Sequence, residues 1–230
     1  IRYNYMKINI PESLNEITIK QFFDFKKCCD VSQDDQYLRL AMVSIFCDVS
    51  VEDIKKISSK DFIEISNQLT NVLKETPTHI EKFVINGVSF GFIPNLENIT
   101  AGEYIELDTL FKDEETYLEQ MAVMYRPITG THKNLYSIEP FESVEKHRDI
   151  MIAAPISAYL GSKVFFCNLL SELLESFQLF LISGTQEAMD LEEVLEKNGV
   201  GINQFIQSLE VVSLNLKEQL NLTYIHSLHS

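Results

Sequence analysis

The chain has 230 residues with 34 acidic and 19 basic side chains, which gives a net charge of −15. An apolar share of 45% is ordinary for a globular protein, whereas the charge argues against a nucleic-acid-binding surface, which needs basic side chains to neutralise phosphates. The four cysteines lack the spacing of a metal site and indicate reduced thiols in a protein made in the cytosol. They are Cys28, Cys29, Cys47 and Cys167.

Residues 1–76 are predicted to form an N-terminal helical unit. Thr18 and Gln21 have the spacing of a capping box, in which each side chain bonds the other residue's backbone N–H at a helix start. Apolar side chains recur at helical spacing in three further segments, the shortest of which follows Ser50. Because the connections are short, residues 18–75 are expected to form a compact unit of four helices.

Residues 77–182 are predicted to contain a β-hairpin and a helical core. Asn86-Gly87 separates two apolar runs, and both positions of this dipeptide tolerate the positive φ of a two-residue turn. We therefore expect Glu81–Ile85 to pair with Val88–Ile93.

Two shorter helices are predicted after the hairpin. Thr100 and Glu103 form a second capping box at the start of one, and the other is predicted to end at Arg126-Pro127. The segment PITGTHKNLYSIEPFES comes next and is punctuated by glycine and proline. It is either a loop or a second small hairpin.

The longest predicted helix runs from Pro155 to Ile182 and has a wide apolar face. A bilayer core would penalise its charged residues, so we expect a soluble helix that covers a core, a neighbouring subunit, or both. Leu169 and Leu173 are expected at its buried centre. The predicted fold is mainly α with a small β-hairpin (α+β), a helical bundle around this long central helix. Residues 183–230 form a predicted C-terminal helical arm and tail.

The sequence contains no pattern that predicts catalysis. It has no glycine-rich phosphate loop and no nucleophile or zinc motif. Glu172 and Glu175 lie one helical turn apart, but that segment offers no histidine or basic partner, so solvated side chains are expected. His226 and His229 share helical spacing in the tail, where solvated residues are again favoured over a metal site. The chain is not predicted to be an enzyme, and no catalytic, cofactor-binding or metal-binding residue is assigned.

Five residues are candidate assembly contacts. Arg126 follows an apolar helix end, where it either caps carbonyls and complements the helix dipole or contacts an acidic stretch of another subunit. Phe90 and Phe92 give the hairpin apolar side chains, and the hairpin is a candidate edge for adding strands or contacts from a neighbour. Phe205 and Leu209 lie in a C-terminal amphipathic segment after a glycine, which we expect to contact a neighbouring subunit.

The acidity is concentrated in two stretches. Glu97–Glu119 holds eight acids and one base, and Glu172–Glu196 holds seven acids and no base. One interpretation is a pair of solvated helix faces. The other is a repulsive surface that faces another polyanion.

Four segments together resemble a known family: MKINIPESLNEITIKQF, INGVSFGFIPNLENITAGEYIELD, MAVMYRPI with YSIEPFE, and NGVGINQFIQSL. In their order and in their amino-acid sequences, these segments are similar to small proteins of the structural-gene region of tailed bacteriophages of Bacteroidetes, the crAss-like phages in particular. The resemblance extends from Met6 to about Leu209. These motifs are structural signatures and include no catalytic fingerprint.

The resemblance implies a virion component, made in the host cytoplasm and placed in the tail or neck as a ring protein of the tail barrel below the portal. Such rings are typically twelvefold, so the implied partners are identical subunits and other tail, neck or portal proteins, with passive contact with the genome and no membrane. An acidic lining would let DNA slide, because phosphate contacts would hold it in place. The alternative function is a tail assembly chaperone that leaves before maturation. A cargo or regulatory protein is a third possibility.

The charge generates a direct prediction about DNA. We expect no appreciable binding to duplex DNA at physiological salt, because the chain has 15 more acidic than basic side chains. An electrophoretic shift assay measures this. A salt-sensitive affinity in the micromolar range would contradict both this prediction and the role as a DNA conduit.

Overall fold

The computed structural model describes residues 7–96, 99–111 and 113–182, and within them all side chains except those of residues 104, 108, 114, 170, 173–174, 176–178 and 180–182. The described chain is mainly helical and has one small antiparallel sheet. This confirms the predicted mainly-α, α+β class.

Four helices make up the N-terminal part: α1 (Ile19–Val31), α2 (Asp35–Phe46), α3 (Val51–Ile54) and α4 (Ser59–Leu73). Each begins after a residue whose side-chain oxygen accepts a backbone N–H of the first turn, which satisfies a donor that the helix itself leaves unpaired. At α1 the predicted capping box is complete. The apolar faces of these helices form one continuous core with the rest of the described chain.

A four-stranded antiparallel sheet follows, in the order β1 (Lys82–Ile85), β2 (Val88–Phe92), β3 (Tyr125–His132) and β4 (Leu135–Ile138). The predicted hairpin is confirmed: Ile85 pairs with Val88, and the turn residues have φ of 50° at Asn86 and 81° at Gly87.

The segment after Pro127 forms a hairpin rather than a loop, since β3 and β4 pair there. The preceding helix, predicted to stop at Arg126-Pro127, ends one residue earlier, because the chain changes directly from helix at Met124 to strand at Tyr125. Arg126 therefore lies in a strand and not at a helix end.

The remaining helices are α5 (Ala101–Leu110), α6 (Tyr117–Met124), α7 (Glu145–Arg148) and α8 (Ile156–Ile182). The second predicted capping box is also formed, since Thr100 and Glu103 exchange hydrogen bonds at the start of α5. The entries to α1 and α8 are tied together: Ile19 N–H donates to Ala154 O and Ile156 N–H donates to Ile17 O, both at 2.8 Å. This bridge joins the N-terminal helices to the beginning of the last one.

Helix α8 has the predicted length, and the buried side chains described on it lie in its first part. Ile156, Tyr159 and Cys167 are buried, whereas Leu169 is 41% and Leu179 70% exposed. The prediction that Leu169 lies at a buried centre is wrong, since this side chain is partly exposed to solvent, and the central place of α8 in a bundle is not confirmed. No described helix is long and apolar enough to cross a membrane. The predicted arm at 183–230 lies outside the described residues.

Gly161 sets how closely α8 approaches the chain segment that precedes β1. A Cβ at Gly161 would lie 2.2 Å from the carbonyl oxygen of Thr78, which is backbone and cannot rotate away. The absence of a side chain at this one position therefore lets α8 pack directly against the chain at Thr78 and His79.

We expect Gly161→Ala to destabilise the protein despite the better helix propensity of alanine, which is worth about 1 kcal/mol. Overpacking of this kind costs about 1–3 kcal/mol, and here the clash is with main chain, so a net loss is expected in urea unfolding. The matched control is Gly130→Ala, because a Cβ at Gly130 has no atom within 4 Å. Equal stability of the two variants would contradict this account of the packing.

Candidate functional site

Phe90 and Phe92 lie inside the subunit. Their side chains are 1% and 4% exposed, and Phe90 stacks on Phe83 with ring centroids 5.7 Å apart. The prediction that they contact a neighbouring subunit is therefore wrong, since they have no surface to offer. The alternation of side chains along a strand is the reason: it turns these rings to the core and turns Val84, 64% exposed, outward.

Arg126 is buried in β3 opposite Gly91, with only 5% of the residue exposed. Its Nη2 donates to Oε1 of Glu103, which is 4% exposed. Both predicted roles are wrong: Arg126 lies within a strand and does not cap the helix end, and its acidic partner belongs to its own chain. The sequence did contain the partner, because Glu103 lies in the first acidic stretch.

Glu103 links this ion pair to the start of α5. Its Oε2 accepts from Thr100 N at 2.7 Å, and its own N–H donates to Thr100 Oγ1 at 3.2 Å. Burial acts to raise the pKa of Glu103, but the hydrogen bonds from Thr100 and the charge of Arg126 outweigh it and hold the pKa below its usual value of 4.5. The carboxylate is therefore ionised and joins the first turn of α5 to β3.

Tyr136 of β4 lies across the outer face of the sheet. A Cβ at Gly91 would be 2.4 Å from the Tyr136 ring, so only glycine lets the ring lie there. The Tyr136 hydroxyl donates to Phe92 O at 2.9 Å, and Lys82 Nζ is 4.4 Å from the ring centre. Burial, together with the negative charge of Glu81, raises the pKa of Tyr136. The β3–β4 hairpin is thereby fixed over β1 and β2.

Two clefts lie on either side of Tyr136. The larger, about 550 Å³, includes His79, Glu81, Leu135 and Phe165 in its wall. The smaller, about 380 Å³, contains the Glu103–Arg126 pair and Phe141. Both are lined by Tyr136 and by the segment Ile93–Asn95, so together they follow β4 along its length.

The first acidic stretch is not a uniform solvated face. Glu103 is neutralised by Arg126, and Glu119 by Arg148 of α7. Glu115 is exposed, as are Glu172 and Glu175 at the start of the second stretch. Part of the predicted repulsive surface is therefore compensated within the chain.

Within the described residues, no group of histidine, cysteine or carboxylate side chains could hold a metal ion. The four cysteines are free thiols, and burial raises the pKa of Cys29 and of Cys47 to about 11. Both are therefore protonated and poorly nucleophilic at neutral pH. Phe205 and Leu209 lie outside the described residues, so their predicted role stays a prediction. Comparisons with protein-family models, curated proteins and solved structures gave no match.

Removing the cation from the buried pair should be costly. We expect Arg126→Met to lower the free energy of unfolding by about 3–5 kcal/mol, because it leaves the Glu103 carboxylate buried without its counter-charge. The matched control is Arg148→Met, which breaks the pair with Glu119 at a side chain 43% exposed and should cost far less. Similar decreases in the free energy of unfolding for the two variants would contradict the view that burial makes the Glu103–Arg126 pair the costlier one to break.

The same pair should appear in the pH dependence of stability. Because the pKa of Glu103 is depressed in the folded protein, its contribution is fully present above the usual value of 4.5 and is lost as pH falls through the folded-state pKa. Glu103→Gln should therefore be less stable than wild type at pH 7, and this difference should shrink at pH 3, as measured by urea unfolding. A difference that grows on acidification would contradict the assignment.

Proposed function

We propose that this protein is a structural virion protein of a tailed bacteriophage, a ring-forming subunit of the neck or tail barrel that helps form the DNA conduit below the portal. The observation that carries the proposal is the resemblance of four ordered segments, from Met6 to about Leu209, to the crAss-like phage family. Two chains that share only their amino-acid composition are not expected to share four such segments in the same order.

Two of the resembling segments meet in space, which supports reading them as parts of one unit. Gly91 and Glu103 belong to INGVSFGFIPNLENITAGEYIELD, and Arg126 belongs to MAVMYRPI. In the fold Gly91 is the strand partner of Arg126, and Glu103 is its ion-pair partner. Residues of two resembling segments are therefore in direct contact in the fold.

The charge of the chain suits a conduit. A surface that conducts DNA must not hold it, and a net charge of −15 disfavours the phosphate contacts that would do so. Glu115, Glu172 and Glu175 are exposed carboxylates that would repel the duplex if they faced the lumen. Contact with the genome is then passive and independent of sequence.

The proposed partners are identical subunits, joined head to tail into a ring that twelve copies would close, and the adjoining tail, neck or portal proteins. A heterologous interface closes only into a cyclic array, so each subunit must present two different surfaces. The described chain exposes large apolar side chains on different elements, among them Val31 (83%), Ile63 (57%) and Ile105 (61%). The protein would be made in the host cytoplasm and reside in the virion.

Purified particles test this proposal. We expect the protein to be present in virions at a fixed ratio to the portal protein, as measured by quantitative mass spectrometry, because a ring subunit has a fixed copy number. Presence in infected cells but absence from particles would overturn the proposal in favour of a tail assembly chaperone. An irregular copy number would overturn it in favour of a cargo or regulatory protein.

A further inference from the structure

Strand β4 has one unpaired edge. In the order of the sheet it is the last strand and pairs only with β3. Leu135 follows a two-residue turn opposite His132, and Glu139 N–H donates to Pro127 O at 2.9 Å, so positions 135, 137 and 139 face β3. Tyr136 and Ile138, at the alternate positions, direct their backbone N–H and C=O groups away from β3.

The two clefts beside Tyr136 follow this free edge. From β3, Arg126 alone contributes to them, and their opposite wall is the segment that continues from β2 at Ile93–Asn95. Open space therefore lies where a fifth strand would lie. The Nε of Arg126 in the smaller cleft has no hydrogen-bond partner among the described residues, although the side chain is only 6% exposed.

The larger cleft contains one carboxylate that makes no ion pair in the described chain, and the Nζ of Lys82 lies 4.4 Å from the centre of the Tyr136 ring, which lines this cleft. In the smaller cleft Glu103 is paired with Arg126, and Glu139 with Lys146. Glu81, in the larger cleft, makes no ion pair in the described chain, and its charge acts on both His79 and Tyr136. Burial lowers the pKa of His79 from 6.5, with Glu81 opposing, so the imidazole is neutral at pH 7 and does not offset the carboxylate.

The larger cleft also has an apolar lining. His79 lies between Phe92 and Phe165, with ring centroids 4.5 Å and 4.9 Å away, and Leu135 is 75% exposed at the rim. Rings beside a carboxylate suit a lysine or arginine, because the alkyl stem packs on apolar surface while the charged end reaches the acid.

We propose that the two clefts together bind an extended segment of a partner protein, which adds as a strand beside β4 and directs a lysine or arginine side chain to Glu81 in the larger cleft. Main-chain hydrogen bonds to Tyr136 and Ile138 would give affinity, and the charge of Glu81 would select the basic residue. The inference rests on the geometry of the cleft and does not require the ring function proposed above.

The probes are two blocked, labelled heptapeptides of alternating threonine and valine, one with arginine at its centre and the other with glutamate. Titrated onto the full chain and followed by fluorescence anisotropy, the arginine peptide should bind roughly three- to fivefold more tightly, as one partly exposed ion pair allows. Glu81→Lys should reverse this order. The matched control, Glu64→Lys on the exposed face of α4, should leave it unchanged.

Backbone methylation of the peptide tests whether it binds as an added strand. Methylating alternate backbone nitrogens gives two arginine peptides, and only the one with its methyl groups turned away from β4 should bind. Equal binding of both, no preference for arginine, or no binding at about 1 mM peptide overturns the proposal. Self-association of the chain that the arginine peptide reverses also overturns the proposal, because a second copy of the chain then occupies the cleft.

Discussion

The buried contact between Glu103 and Arg126 joins the two halves of the segment that follows the N-terminal helices. Glu103 completes the first turn of α5, and Arg126 lies in β3, so the pair fixes a helix against a sheet. Removing two charges from water is costly unless they are well bonded, and the Thr100 N–H supplies the carboxylate with a second donor, whereas the Nε of Arg126 has no partner among the described residues. The position of α5 beside β4, and with it the smaller cleft, depends on this contact.

The turn and the helix starts could be predicted from sequence because their signals are local. Asn86-Gly87 specifies a turn by the φ values that it allows, and Thr100 with Glu103 specifies a helix start by its own hydrogen bonds. Where a signal was non-local, prediction failed. The change from helix at Met124 to strand at Tyr125 has no local signal, since neither residue is a glycine or a proline.

The candidate site was harder to predict than the fold. Phe90 and Phe92 were assigned to a surface although strand alternation, read together with Phe83, could have placed them inward. The partner of Arg126 could not be found from spacing, because Glu103 is 23 positions away in the sequence and the pair is local to no single helix or strand. The clefts depend on Tyr136 crossing over Gly91, a contact between two separate hairpins that no periodicity records.

The bridge between the entries of α1 and α8 has a consequence for synthesis. Ile17 and Ile19 are among the first described residues to leave the ribosome, but their hydrogen-bond partners are Ile156 and Ala154. At about 5–20 residues per second, those partners appear on the order of ten seconds later. Until then the backbone N–H of Ile19 and the carbonyl of Ile17 lack their partners. The nascent chain therefore exposes these groups to other polypeptides until the last described helix emerges.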